Sequence, residues 1–182
     1  MLVDLTLRIT PKMVAAAQGN EKKALVGHIG THFDVMDKEF PLEFTRRDAI
    51  VFDVSSVTDR DICVSDVDIQ AVRRSTFVAF CTGFISREPY GGKNYFSSHP
   101  QLSPGLIDLL VDRGVSIIGI DAAGIRRGKE HTAADQYCAD HNVFIVENLC
   151  NLNQIIGESV INTYPMNYAE MTGLPCRVIA EV

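Results

Sequence analysis

Along residues 2–9 (LVDLTLRI) apolar and polar side chains alternate, which predicts a half-buried strand. Residues 13–25 are rich in Ala and Lys and read either as a short helix or as an irregular connection. The β-branched and aromatic runs at 49–54 (AIVFDV) and 76–82 (TFVAFCT) have the length and composition of strands. Between them, Ser65-Asp66-Val67-Asp68 is a capping pattern expected to open a helix with Ile69 and Val72 on one face. The clearest helix covers 104–113. Ser103 can cap it, Pro104 suits its first position, Leu106, Ile107, Leu109 and Leu110 form its apolar face, and Gly114 can end it.

Two continuous apolar runs follow, 115–120 (VSIIGI) ending at Asp121 and 143–146 (VFIV) ending at Glu147. Between them, 131–141 reads as a helix with Ala134, Tyr137 and Cys138 inward and Asn142 as its stop. Strand, crossover helix and strand in this order predict a parallel pair joined right-handedly. Residues 171–182 read as a closing strand. Residues 86–102 (SREPYGGKNYFSSHPQL) fit no regular element; a stretch of that length inside a compact domain is either a lid over a substrate or a surface excursion.

The chain has 182 residues, 46% of them hydrophobic, so one α/β domain over 1–182 with a buried core is expected. Its formal net charge of −6 is spread without basic blocks, which argues against nucleic acid as a partner. Asp4, Arg8 and Pro11 interrupt the N-terminal apolar residues, so no signal peptide is expected, and no apolar run approaches the ~18 residues of a membrane span. Five cysteines, Cys63, Cys81, Cys138, Cys150 and Cys176, are odd in number and mostly set in apolar stretches, which fits buried thiols and a reducing cytoplasm.

The chemistry concentrates in GHIGTHFD, where His28, His32 and Asp34 are all metal-ligand residue types with even spacing. On a straight strand His28 and His32 would lie ~13 Å apart, so sharing one ion requires a bend, and Gly30 is where the chain can make it. The other reading is two hydrogen-bonded structural histidines. Asp121 and Glu147 each follow an apolar strand, which puts carboxylates at the carboxyl ends of neighbouring parallel strands, where open α/β sheets gather ligands. For Asp121 a turn or capping role competes with ligation. His131 and Asp135, four apart, share a helical face and could equally form a plain surface hydrogen bond.

HIGTHFD, GIDAAGI, VENLCNL and the final GLPCRVIAEV resemble, in that order and over nearly the whole chain, the signature segments of the cyclase family of metal-dependent hydrolases, which includes the bacterial kynurenine formamidases. The resemblance implies a swivelling β/β/α architecture with a mixed sheet, and it implies that His28, His32, Asp34 and Glu147 are metal ligands at a site of one or two ions. Zinc is the first expectation and manganese the alternative. The family's Pro falls on Met36, and its last histidine, assigned as proton shuttle, falls on Lys38. The helical ligand, counted back from Glu147, falls on Asp135, whereas residue type would select His131. Asp135 is taken as the ligand, which leaves His131 free as acid or base.

The activity so implied is hydrolysis of a small amide or cyclic amide, such as N-formylkynurenine or an isatin-like lactam, by metal-activated water. A proton must reach the leaving nitrogen, from Lys38 if its amine is neutral or from His131. Lys38 would instead be idle if ion-paired with Asp37 or Glu39. Tyr90, Tyr95 and Phe96 could stack on an aromatic substrate or simply pack the loop. The alternative is a metal- or ligand-binding protein on the same fold that has lost catalysis. A small-molecule substrate is expected, with no nucleic-acid or membrane partner, and the family suggests a homodimer or homotetramer.

Overall fold

The computed structural model describes the backbone of residues 1–182 and every side chain except those of Lys22 and Ala24. Eight strands form one mixed sheet: β1 (Leu2–Asp4), β2 (His32–Asp34), β3 (Arg46–Asp53), β4 (Phe77–Cys81), β5 (Ile117–Ile120), β6 (Phe144–Glu147), β7 (Gly157–Pro165) and β8 (Gly173–Glu181). The order is β1-β8-β2-β6-β5-β4-β3-β7, and β7 pairs again with β8, so seven strands close into a barrel-like ring with β1 added beside β8. Strands β3, β4, β5 and β6 run parallel, whereas β2, β7 and β8 complete the ring through antiparallel pairs.

Closure gives the sheet two apolar faces. Alternate residues such as Phe33, Phe77, Phe144, Val146, Ile161 and Val178 meet inside the ring. Their neighbours Val78, Phe80, Ile118, Ile120 and Ile145 point outward into a second core. That outer core is covered by α5 (Pro104–Asp112), through Leu106 and Leu110, and by α6 (His131–Asp140), through Cys138. The start of α5 follows its sequence: Ser103 Oγ accepts from the Leu106 N–H at 3.3 Å, Pro104 opens the helix, and Gly114 (φ 66°) follows it. Strand, helix and strand at β5-α6-β6 form the expected parallel pair. No helix among the described residues is long and apolar enough to cross a membrane.

Several expectations need correction. The strand expected over 2–9 stops at Asp4, with one further bridge between Thr6 and Leu149. Residues 13–25 divide into α1 (Pro11–Ala17) and α2 (Glu21–Ala24). The helix expected after Ser65 is two single 3₁₀ turns, Val64–Asp66 and Ile69–Ala71, because the Asp66 carboxylate is held by Arg60 and the Cys63 N–H, and Asp68 starts a new cap on Gln70. On α6 Ala134 packs partly buried against the outer core and Cys138 is buried as expected, together with Asp135 and Ala139, but Tyr137 is exposed. Residues 86–102 are not structureless: they begin in the last turn of α3 (Phe84–Arg87) and contain α4 (Lys93–Ser97), and Tyr95 is fully buried.

Candidate metal centre

Strands β2 and β6 lie side by side in antiparallel register, with His32 opposite Glu147 and Asp34 opposite Ile145. Phe33 and Val146 turn into the ring, so the period of two turns His32, Asp34 and Glu147 outward, toward α6. His28 joins them because the chain bends before β2. Gly30 has φ 66°, a left-handed conformation easy only for glycine, and it reverses the chain so that residues four apart meet. From the other side, Asp135 is buried on α6 and His131 stands one turn before it.

The result is a compact cluster. His28 Nδ1 lies 3.1 Å from His32 Nε2 and 3.0 Å from Asp34 Oδ1. His32 Nε2 lies 3.6 Å from both Asp34 Oδ1 and Glu147 Oε2. His131 Nε2 lies 3.4 Å from Asp135 Oδ2 and 3.6 Å from Glu147 Oε1. Two overlapping sets of possible ligands result, His28, His32 and Asp34, and Asp34, His131, Asp135 and Glu147, each with its donor atoms within 4.8 Å of one another. Asp34 belongs to both.

Each imidazole is held by its other nitrogen. His32 Nδ1 faces the Gly30 carbonyl at 2.8 Å, and His131 Nδ1 faces the Arg126 carbonyl at 3.1 Å. A carbonyl can only accept, so the proton sits on Nδ1 in both rings and the Nε2 lone pair turns to the cluster. His28 is oriented the other way round, with Nε2 2.9 Å from Thr172 Oγ1, a hydroxyl that can donate or accept, and Nδ1 turned to the cluster. His131 has a further requirement: Gly124 (φ 120°) lies against its ring, and a Cβ there would stand 2.5 Å from His131 Nδ1.

Burial opposes charging any of these groups, and the partners decide the outcome. Burial penalises the Asp34 carboxylate, but His32 and His28 outweigh it and hold its pKa far below the usual range. Burial likewise disfavours His32 protonation, yet the charge and hydrogen bond of Asp34 raise its pKa overall. Asp135 and Glu147 go the other way: burial first, then the Asp34 charge, pushes both well above ordinary carboxyl values. Three carboxylate oxygens here, Asp34 Oδ2, Asp135 Oδ1 and Glu147 Oε1, are buried with no hydrogen-bond partner. Lone pairs left this way cost about 1–3 kcal/mol each, a cost that a divalent cation among them removes, so the donor set fits a metal.

The other residues singled out in the sequence fall elsewhere. Asp121 is engaged in holding the turn after β4: it accepts from the Thr82 N–H at 2.9 Å, Thr82 Oγ1 at 2.5 Å and the Gly83 N–H at 2.7 Å. Lys38 does not reach the cluster. Its Nζ is 2.8 Å from Asp140 and 3.1 Å from Asp37 on the surface, where the Asp140 and then the Asp37 hydrogen bonds raise its pKa and keep the amine charged. The chain turns at Met36 (φ 57°), and Met36 takes the cavity wall in its place.

Above the cluster opens a cavity of about 520 Å³, walled by Val26, Met36, Tyr90, Phe96 and Ala123, with Lys23 also facing it. The 86–102 segment thus supplies a wall through Tyr90 and Phe96, while Tyr95 is structural: its hydroxyl donates to Asn148 Oδ1 at 2.7 Å. Asn148 in turn donates to the Gly30 carbonyl at 2.8 Å and so ties α4 to the Gly30 bend. The sequence reading missed Asn148, Thr172 and Lys23. Only Asn148 left a signal, lying beside Glu147 and being a residue type that tolerates its φ of 58°.

The Cyclase family model matches residues 3–126. No curated protein matches the chain at a significant level. Among solved structures, a potential metal-dependent hydrolase with cyclase activity superposes with a TM-score of 0.79 at 23% identity, covering 99% of this chain and 96% of the other. Isatin hydrolase A from Ralstonia solanacearum gives 0.78 at 17% identity, covering 99% and 91%. An isatin hydrolase bound to the product analogue thioisatinate gives 0.72 at 18% identity, covering 84% and 71%. At these identities the likeness is one of fold, and with more than half of its length matched by the family model, the chain belongs to the Cyclase family.

Proposed function

We propose that the protein is a metal-dependent hydrolase of small amides, cyclic amides included, acting at the floor of the 520 Å³ cavity. The observation that carries this reading is the cluster of Asp34, Asp135 and Glu147, each with a buried carboxylate oxygen left without a partner, packed against the His28, His32 and His131 imidazoles. His28, His32, Asp34, Asp135 and Glu147 are the ligands in this reading, for one ion or two. With nitrogen and oxygen donors and no thiolate in either set, zinc and manganese both suit the site. A divalent cation bound there supplies the positive charge that polarises an amide carbonyl and acidifies water.

The chain's own residues do the rest. The Gly30 carbonyl, Thr172 and Asp34 keep the His28 and His32 rings oriented, which spares the site reorganisation during reaction. Hydrolysis adds hydroxide to the acyl carbon and a proton to the leaving nitrogen. His131 is the proton carrier in this reading: it is 31% exposed toward the cavity, and its Nε2 can take a proton while Nδ1–H stays on the Arg126 carbonyl. Met36, Tyr90 and Phe96 form an apolar wall suited to an aryl group, with N-formylkynurenine and isatin-like lactams as candidate substrates.

The test is turnover of a panel containing N-formylkynurenine, formanilide and isatin, by protein stripped with chelator and reloaded with zinc or manganese. Turnover that disappears on stripping and returns on reloading supports the proposal. A protein that retains metal stoichiometrically yet hydrolyses none of the panel is instead a binding protein on a hydrolase fold.

A further inference from the structure

Among the described residues, the cavity holds one lysine that the hydrolytic machinery does not use. Lys23, on the short helix α2, faces the cavity with its Nζ 4.0 Å from the Phe96 ring centroid and 5.8 Å from that of Tyr90. Asn20 Oδ1 accepts from the Lys23 backbone N–H at 3.2 Å and fixes the start of that turn. Most other paired cations of the chain carry a carboxylate, as Lys38 does with Asp140, Arg60 with Asp66 and Arg177 with Asp4. Lys23 has aromatic faces instead, and no carboxylate lies within ion-pair distance of it among the described residues. Partial burial alone lowers its pKa, with no hydrogen bond or charge to offset it.

An ammonium held over two rings keeps donors free on the side away from them, and desolvation sharpens its attraction for an anion. It stands beside the aryl-binding wall, so an aromatic ring lying against Tyr90 and Phe96 would direct a ring substituent toward it. We propose that Lys23 is a specificity residue that binds a carboxylate carried by the substrate, so that the preferred substrates are anionic aryl amides rather than neutral ones. This rests on the hydrolase reading above. The carboxylate in question belongs to the substrate and is distinct from the acyl group released by hydrolysis.

The experiment compares 3- and 4-formamidobenzoate with formanilide, which has the same scissile bond and no carboxylate, on metal-loaded wild type, Lys23→Met and Lys23→Arg. The expected result is a ratio of kcat/KM, anionic over neutral, that falls about tenfold or more in Lys23→Met, chiefly through KM, and is largely restored in Lys23→Arg. Calorimetric binding of 4-aminobenzoate, with 4-aminobenzamide as its neutral isostere, reads the same discrimination without turnover. A ratio and a binding preference that are identical in wild type and Lys23→Met would overturn the inference. If no formamide is hydrolysed, the hydrolase reading fails for this class, and the binding pair alone decides the role of Lys23.

Discussion

His28 Nδ1 and His32 Nε2 face each other across 3.1 Å, each on a ring whose other nitrogen is already engaged. Two lone pairs at that distance repel unless a proton or a cation lies between them. A divalent ion satisfies both, together with Asp34 Oδ1, which is 3.0 Å from the first and 3.6 Å from the second. Asp34→Asn keeps the shape of the side chain, removes its charge and disturbs both ligand sets at once. The expected outcome is a loss of bound metal at neutral pH, read by elemental analysis after gel filtration, together with loss of the rise in Tm that added zinc or manganese gives the wild type. Full metal retention by the variant would exclude Asp34 as a ligand.

The same cluster predicts how the metal-free protein responds to pH. Burial and the Asp34 charge raise Asp135 and Glu147 above their ordinary 3.8 and 4.5, so the folded state binds more protons than the unfolded chain from that pH upward. Stability then falls as pH rises through this window. His32 adds to the trend: with its folded pKa raised, its contribution is complete below 6.5 and is lost as pH climbs through the folded value. Asp34, being depressed, contributes throughout and weakens only in strong acid. Chelator-treated protein is therefore expected to lose Tm between pH 5 and pH 8, and saturating metal should flatten the slope. Asp135→Asn should raise the Tm of the metal-free protein at pH 8 by roughly 2–4 °C for each kcal/mol of relieved charge burial, while weakening metal binding. A Tm of the metal-free wild type that rises over this range contradicts the assignment.

Much of this site can be read from residue types and spacing, and the limits have physical causes. The β5-α6-β6 unit is legible because its strands are uninterrupted apolar runs, and the bend at Gly30 is legible because His28 and His32 cannot meet on a straight strand. Strand β7 is not, since only Ile161 and Thr163 of its nine residues are buried and its apolar signal is correspondingly thin. The burial of Tyr95 depends on Asn148, 53 residues away, and nothing local announces it. Lys38 follows Asp34 at a spacing that suggests a cavity residue, but the positive φ of Met36 turns the chain and Asp140 on α6 captures the amine. Such contacts are decided between elements, where sequence periodicity carries no information.

Substitution separates Lys38 and His131 as candidate proton carriers. Lys38 is an exposed partner of Asp37 and Asp140, so Lys38→Met is expected to leave kcat within about twofold of wild type on any amide the protein hydrolyses. His131→Ala removes the imidazole that faces Asp135 and Glu147 and should lower kcat by about 10²-fold or more. Metal content must be matched between the variants, since His131 also belongs to one of the two possible ligand sets. The assignment would not survive a large fall in Lys38→Met alongside full activity in His131→Ala.

Gly124 offers a way to move His131 without altering its chemistry. A Cβ at Gly124 would stand 2.5 Å from His131 Nδ1, 2.6 Å from its Cε1 and 3.0 Å from the Arg126 carbonyl oxygen that holds the ring. In Gly124→Ala the imidazole must swing away, lose its bond to Arg126 and turn Nε2 from Glu147, and the backbone at φ 120° is strained for alanine by about 1–3 kcal/mol. His28 and His32 lie on other elements and keep their bonds. The expected result is a variant that folds with a lowered Tm, retains metal and loses turnover about as far as His131→Ala does. Gly105→Ala is the matched control, because a Cβ there meets nothing within 4 Å, and it should leave turnover unchanged. Normal turnover in Gly124→Ala with His131 demonstrably displaced, by crystallography or by its ring NMR shifts, would show that the reaction does not depend on where this imidazole points.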